Sequence, residues 1–237
     1  MGKPVIIMHG DKGGAGKSTA ARAMLHWLLT NKIPCVAVEM DARNPDVHRT
    51  YRNDVSVTLL NAREKAGWMD LIDFIDEHPD ELVLIDFPAG AGGEMSEFGS
   101  TLLDALVDLK RPLWVFWMIN RGKSGLRALS ASLDDLKAHS INLVVVKNGF
   151  FGDEDRFVRY GEHAVAKKVE EVGGDVVWFP ALHDGTFDAV DDANISFAAA
   201  LDGGREHPLR YSHRMELGGW LRSTSALFDQ FKERLGV

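Results

Sequence analysis

This chain predicts a doubly wound α/β fold, a mostly parallel sheet with helices on both faces, from three observations. Short runs of Val, Ile, Leu and aromatic residues recur without polar alternation, as strands covered on both faces require. Stripes at helical spacing lie between them. A glycine-rich turn then joins the first apolar run to the first helical stretch, and sheets of this kind gather their ligands at such strand ends. The apolar runs fall at 3–9, 34–40, 81–87, 111–119, 142–148 and 175–179. The helical stripes are Trp68, Leu71, Ile72 and Ile75, then Leu126, Leu129, Leu133 and Leu136, then Val165, Val169 and Val172, and they read as core. The stretches 42–66 and 181–212 show no clear periodicity, and no repeat or low-complexity linker divides 1–237, so a single domain is expected.

Composition narrows the function classes. With 237 residues, 45% hydrophobic and 26% charged, the chain can bury a full core. Its 27 Lys and Arg against 35 Asp and Glu give a net charge of −8, which argues against coating nucleic acid over the whole surface and leaves room for a local basic patch. The lone Cys35 sits in an apolar run and reads as a buried strand residue in a reducing compartment. Nine scattered histidines without H-x-H or H-E-x-x-H spacing give no imidazole metal site. No apolar stretch reaches about 18 residues and the N-terminus enters its first strand directly, so a cytoplasmic protein is expected.

The glycine-rich turn is Lys12-Gly13-Gly14-Ala15-Gly16-Lys17-Ser18-Thr19. Before it comes the buried run Val5-Ile6-Ile7-Met8, and after it Ala20, Ala21, Ala23, Met24, Leu25 and Leu28 supply helix formers with an apolar face. A strand, a glycine loop and a helix in this order aim backbone N–H groups and the positive helix end at a polyphosphate. Gly13, Gly14 and Gly16 allow close approach. Lys17 is placed for the β- and γ-phosphates and the Ser18 hydroxyl for Mg²⁺. The pattern G-x-x-x-x-G-K-[ST] would put a glycine at Asp11, whose carboxylate repels a triphosphate unless it points away or is paired. The variant K-G-G-x-G-K-[ST] needs no glycine there, and the chain matches it in full. In this it resembles the ParA/MinD family of dimeric ATPases, a branch of the P-loop NTPases that includes nitrogenase iron protein and dethiobiotin synthetase. The resemblance implies ATP and Mg²⁺ as cofactors and an ATP-bridged homodimer in which Lys12 reaches the phosphates of the other subunit. A single cysteine sets aside the iron-sulfur and CxxC-zinc members.

The remaining candidates lie at strand ends. After 34–40 the chain reads Glu39-Met40-Asp41, where the family has D-x-D-P; by position Asp41 inherits the role of orienting the attacking water and helping to hold the Mg²⁺ shell, with Glu39 in place of the first aspartate and no following proline. After 81–87, Asp86, Pro88 and Gly90 match the family's D-x-P-x-G switch; the aspartate is expected to hold Mg²⁺ through water, and Gly90-Ala91-Gly92-Gly93 suggests a nucleotide-sensing loop. After 142–148, Asn148 is the base-reading candidate, because an amide both donates and accepts. Pro180, Ala181 and Leu182, after Phe179, resemble the segment whose backbone frames the other side of the base. With no N-K-x-D guanine signature, ATP is favoured over GTP.

Other features carry less. Asp191-Asp192 reads as a helix cap or loop acid, and Arg121, Lys123 and Arg127 as a solvated loop. Trp220, Leu221, Leu227, Phe228, Phe231 and Leu235 form one apolar face whose polar side lacks a cationic excess, so docking on the body is expected over membrane insertion. Arg205, Arg210, Arg214 and Arg222, with His207 and His213 and diluted by Glu206 and Glu216, are the arginine-rich region where DNA phosphates could bind. The resemblance implies a slow, partner-stimulated ATPase that positions or segregates DNA or a macromolecular assembly, as in plasmid partition, conjugative transfer or division-site placement. A ligase of the dethiobiotin-synthetase type and a MinD-like membrane-recruited regulator are the alternatives.

Overall fold

The structure is a computed structural model that describes residues 2–10, 13–90, 92–136, 139–202 and 208–237, with residues 135 and 136 described by backbone alone. Asp11, Lys12, Ala91, Arg205, Glu206, His207 and the side chain of Leu136 therefore lie outside the described residues. The first part of the chain runs β1 (Val5–His9), α1 (Lys17–Thr30), β2 (Cys35–Glu39), α2 (Asp46–Tyr51), β3 (Val57–Leu59), α3 (Lys65–Glu77), β4 (Leu82–Asp86) and α4 (Gly92–Asp108). The second runs β5 (Leu113–Ile119), α5 (Lys123–Leu136), β6 (Ile141–Asn148), α6 (Val158–Glu162), α7 (Ala164–Glu171), β7 (Asp175–Phe179), α8 (Asp184–Ala193), α9 (Phe197–Leu201), α10 (Tyr211–Asp229) and α11 (Lys232–Leu235).

The seven strands form one parallel sheet in the order β3-β2-β4-β1-β5-β6-β7. All six expected strands are present, and the short edge strand β3 is added from the stretch that showed no periodicity. Successive side chains on a strand point to opposite faces, so the unbroken apolar runs feed two cores at once. Ile6 and Met8 of β1 face a cluster with Met24, Trp27 and Leu28 of α1, whereas Val5 and Ile7 face one with Trp68, Leu71, Leu129 and Val165. β1 is central, so the turn that follows it opens at the middle of the sheet's carboxyl edge.

The C-terminal helices close the first of these cores. Trp220, Leu221, Leu227, Phe228, Phe231 and Leu235 are all buried, as the docking expectation required. Their polar atoms are matched as well: Trp27 Nε1 donates to Asp229 Oδ1 at 2.8 Å, and Trp220 Nε1 donates to the Pro180 carbonyl at 2.8 Å. Among the described residues no helix is long and apolar enough to cross a membrane.

Three expectations are corrected. Val172 is not core: α7 ends at Glu171, and the next residue turns out to solvent at 37% exposure. Asp191 is neither cap nor loop acid; it lies inside α8 and pairs with Arg22 of α1 at 3.5 Å and Arg49 of α2 at 3.2 Å. Lys123 and Arg127 sit on α5 rather than in a loop, because only three residues separate the helix from β5. Cys35 is partly buried at the start of β2, and burial pushes its thiol up to about 11, so it is inert near neutral pH.

Candidate functional site

The turn between β1 and α1 borders a cavity of about 590 Å³ at the carboxyl edge of the sheet, a size that suits a nucleotide. Gly14, Ala15, Gly16, Lys17, Ser18 and Thr19 form one wall. Gly16 is the N-cap of α1 with φ +93°, in the left-handed region that side chains enter only with strain. A Cβ at Gly16 would stand 2.3 Å from Asn148 Nδ2. The loop is thus held by a side chain from β6, and glycine is demanded twice over. Lys17, buried to 7% exposure, begins α1 at the floor of the cavity.

The acidic side of the site is deeply buried. Asp86 ends β4 at 2% exposure, and both its carboxylate oxygens lack a hydrogen bond of good geometry, although the Ser18 hydroxyl and the Lys17 ammonium lie close enough to favour its ionised form. Burial outweighs them and pushes the Asp86 carboxyl up to about 7. Glu39 is fully buried; desolvation first, then the Asp86 charge, raises it to about 9. Its Oε1 accepts from Asp41 N at 3.0 Å and its Oε2 from Val47 N at 3.1 Å. Where the family pattern has aspartate, this longer side chain reaches the first turn of α2 and braces the 39–47 loop. Asp41 Oδ1 accepts from Arg43 N and Asn44 N, both at 3.1 Å, closing a turn. Asp41 does not border the cavity, whereas Asp46, which the sequence reading passed over, does. The legible signal was a second carboxylate opening a helix after Asn44-Pro45. Buried Asp86 oxygens beside a hydroxyl are a donor set that suits Mg²⁺, a hard cation.

The far wall is apolar. Phe179, Pro180, Ala181, Leu182, Phe187 and Trp220 line it, with Asp184 and Asp188 at the same end. Asn148 also borders the cavity, with its amide Nδ2 donating to the Ala15 carbonyl at 2.8 Å and its Oδ1 accepting from Phe150 N at 3.0 Å. One Nδ2 hydrogen is used in holding the loop. Phe187, Trp220, Asp184 and Asp188 were missed because they come from α8 and α10, whose packing brings them beside β7. Tyr51 completes the support: its hydroxyl donates to the Arg22 carbonyl at 2.8 Å, fixing α2 against the loop helix.

No family model matches the chain. Protein MobD of Acidithiobacillus ferrooxidans is 34% identical over 229 residues, covering 97% of this chain and 98% of its own length. The chain belongs to the family of protein MobD. The MinD cell division protein of Aquifex aeolicus covers 94% of this chain and 97% of its own at a TM-score of 0.54 and 16% identity. The septum site-determining protein MinD of Pyrococcus horikoshii, complexed with Mg-ADP, covers 94% and 96% at a TM-score of 0.53 and 16% identity. In fold, this MobD relative resembles these MinD proteins, with a seven-stranded parallel sheet and helices in an α/β fold of the P-loop NTPase-like type.

The buried acids give this MobD relative a pH signature. Unfolded, Asp86 titrates near 4. Folded, it keeps its proton up to about 7, so its contribution to stability is complete below the unfolded value and is lost as pH rises through the folded one. Asp86→Asn removes that loss. At pH 8, without nucleotide, Asp86→Asn is expected to be more stable than wild type by about 1 kcal/mol or more, with the gap narrowing as pH falls and closing only below about pH 4. Thermal melts at the two pH values check this, and melts that shift in parallel would contradict it.

Proposed function

We propose that this chain is an ATP-dependent, dimerising switch ATPase that works in the cytoplasm to position or segregate DNA or a macromolecular assembly. The observation that carries the proposal is the cavity itself: a glycine loop with a buried lysine forms one wall and an apolar wall another, while buried Asp86, not itself in the lining, ends the neighbouring strand β4. A polyphosphate fits the first wall, and a nucleobase fits the second.

In this reading the backbone N–H groups of 13–19 and the Lys17 ammonium bind the β- and γ-phosphates. Ser18 and Asp86 would hold Mg²⁺, with Asp41 helping through its shell, and the ion supplies charge neutralisation at the phosphates when bound. Asp41 orients the attacking water, its carboxylate already fixed by two backbone N–H groups. Asn148, Pro180, Ala181 and Leu182 frame adenine, and the Asn148 amide transmits the position of the base to the loop through Ala15. A MinD of the same fold is complexed with Mg-ADP, which supports a magnesium nucleotide as the kind of ligand. Lys12 supplies charge to the partner subunit's phosphates. Arg210, Arg214 and Arg222 line the start and middle of the C-terminal helix, with Arg210 and Arg222 exposed, and offer salt-dependent contacts to DNA.

Charge delivered in trans to phosphoryl transfer is worth about 10³ to 10⁵ in rate. Lys12→Ala is therefore expected to keep its circular dichroism spectrum and lose ATP turnover by about a thousandfold. Steady-state phosphate release with ATP and with GTP, in wild type and variant, tests both the role of Lys12 and the base preference. Turnover by Lys12→Ala at the wild-type rate would refute the dimeric mechanism, and a preference for GTP would refute the ATP assignment.

A further inference from the structure

Further along the carboxyl edge of the sheet, past β5 and β6, a groove of about 740 Å³ opens between the β5–α5 loop and α6, a volume in the range of roughly 300 to 1,000 Å³ common to binding pockets. Asn120, Arg121, Phe151, Arg156, Val158 and Arg159 border it, and the three arginines are exposed. Their guanidinium groups come from three separate segments: the loop after β5, a single turn at Glu154–Arg156, and α6. The backbone draws them together. Arg159 Nη1 donates to the Arg121 carbonyl at 3.4 Å. Gly152, at φ +123°, leaves room for the other two, since a Cβ there would stand 3.5 Å from Arg121 Nη1 and 3.6 Å from Arg156 Cγ.

These charges are not balanced from within. Among the described residues none of Arg121, Arg156 and Arg159 meets a carboxylate, whereas Arg22, Arg49, Arg63 and Arg234 each do so at 2.7 to 3.5 Å. No described Asp or Glu borders the groove, and Glu154, next to Arg156 in the same turn, is taken by Lys147 at 3.2 Å. Holding three like charges together costs free energy unless an anion joins them. Apolar surface accompanies them: Val158 is 58% exposed on the border, and Phe150 is 60% exposed beside Phe151, whose ring it meets edge-on at 5.3 Å. Arginine together with aromatic side chains is the composition of a protein-binding surface. The exposed acids Asp153, Asp155 and Glu162 on the same stretch would repel a continuous phosphate backbone, whereas a short acidic segment can end between them.

We propose that this groove docks an acidic segment of a protein partner, with its carboxylates on Arg121, Arg156 and Arg159 and an apolar side chain against Val158 and Phe150. Guanidinium and carboxylate pair through two parallel hydrogen bonds, which fixes the direction of the segment. The arginines of α10 belong to a different surface, because α10 covers the first core whereas Tyr160 of α6 packs into the second. The groove adjoins the nucleotide cavity through one turn: Phe150 borders the cavity, Phe151 borders the groove, and Asn148 Oδ1 accepts from Phe150 N at 3.0 Å. A partner seated in the groove therefore touches the turn that Asn148 holds beside the glycine loop.

The test uses the full chain without nucleotide, so its outcome is independent of the nucleotide reading. Fluorescence anisotropy follows a labelled, capped peptide of sequence Glu-Glu-Trp-Glu-Glu, with Gln-Gln-Trp-Gln-Gln as the uncharged control. The expected result is saturable binding of the glutamate peptide, at least about tenfold tighter than the control and weaker as salt is raised. Arg156→Glu combined with Arg159→Glu should weaken it by at least about tenfold, and Arg121→Glu should do the same. Arg210→Glu combined with Arg222→Glu makes the same change in net charge on α10 and should leave affinity within about twofold. All five positions are exposed, and circular dichroism shows that each variant is folded. No saturable binding below about 1 mM peptide, equal affinity for the glutamine peptide, or undiminished binding by the folded Arg156→Glu, Arg159→Glu variant would each overturn the proposal. So would a DNA duplex that binds more tightly than the peptide and is lost with the same two substitutions, which would give the groove to nucleic acid. A nucleotide-free dimer that those substitutions break, seen by light scattering, would give it to a second copy of the chain and overturn the proposal equally.

Discussion

Gly16→Ala is expected to lower the unfolding free energy by about 3 kcal/mol, and Asn148→Ala to absorb part of that cost when the two are combined. Two terms make up the figure. A side chain at φ +93° is strained by about 1 to 2 kcal/mol. The new Cβ would also overlap Asn148 Nδ2, which must then release the Ala15 carbonyl and leave it buried without a partner, at about 1 to 3 kcal/mol. In Asn148→Ala the hydrogen bond is already gone and the overlap with it, so the double variant should be more stable than the sum of the single effects implies, by about 1 kcal/mol. Urea denaturation of the four proteins measures this. Strict additivity would mean that Asn148 does not hold the loop.

Lys17→Ala should have the other large effect, a loss of nucleotide affinity of at least about a hundredfold. Lys17 is buried at the cavity floor near Asp86, where a charge acts through little solvent and truncation of one partner costs about 2 to 5 kcal/mol. Asp86 would then titrate higher still, since its neighbouring cation is gone. Lys17→Arg is expected to recover little, because a planar guanidinium does not reproduce a compact ammonium in a fixed loop. Titration with a fluorescent ADP analogue reads both variants. Binding within about twofold of wild type by Lys17→Ala would remove Lys17 from the site.

What the sequence made legible follows from where the information is local. A strand buried on both faces announces itself in four or five consecutive side chains, and so the six longer strands fell within two residues of their expected ends. β3 did not, since three half-exposed residues at a sheet edge carry too little apolar signal. α2 has only six residues, too few for a helical period to show. Within the site, Gly14 to Thr19, Asp86, Asn148 and Pro180 to Leu182 could be found because each lies at the end of a strand or in the turn that follows it. Asp46, Asp184, Phe187 and Trp220 reach the same cavity only through the packing of α2, α8 and α10, which no local pattern encodes. Asn148 shows a finer limit: its amide suggested hydrogen bonding, but that the Ala15 carbonyl takes one of its hydrogens is a tertiary fact. The same holds for His9, which reads as one more strand residue until its neighbours leave both nitrogens unmatched.

The central proposal, that nucleotide occupancy dictates pairing of two chains, is tested most directly by molar mass in solution. Light scattering on the purified protein with Mg²⁺ and a non-hydrolysable ATP analogue should give twice the mass found with ADP, and Lys12→Ala should stay at the lower value with either nucleotide. A mass that is the same with the analogue and with ADP would contradict it.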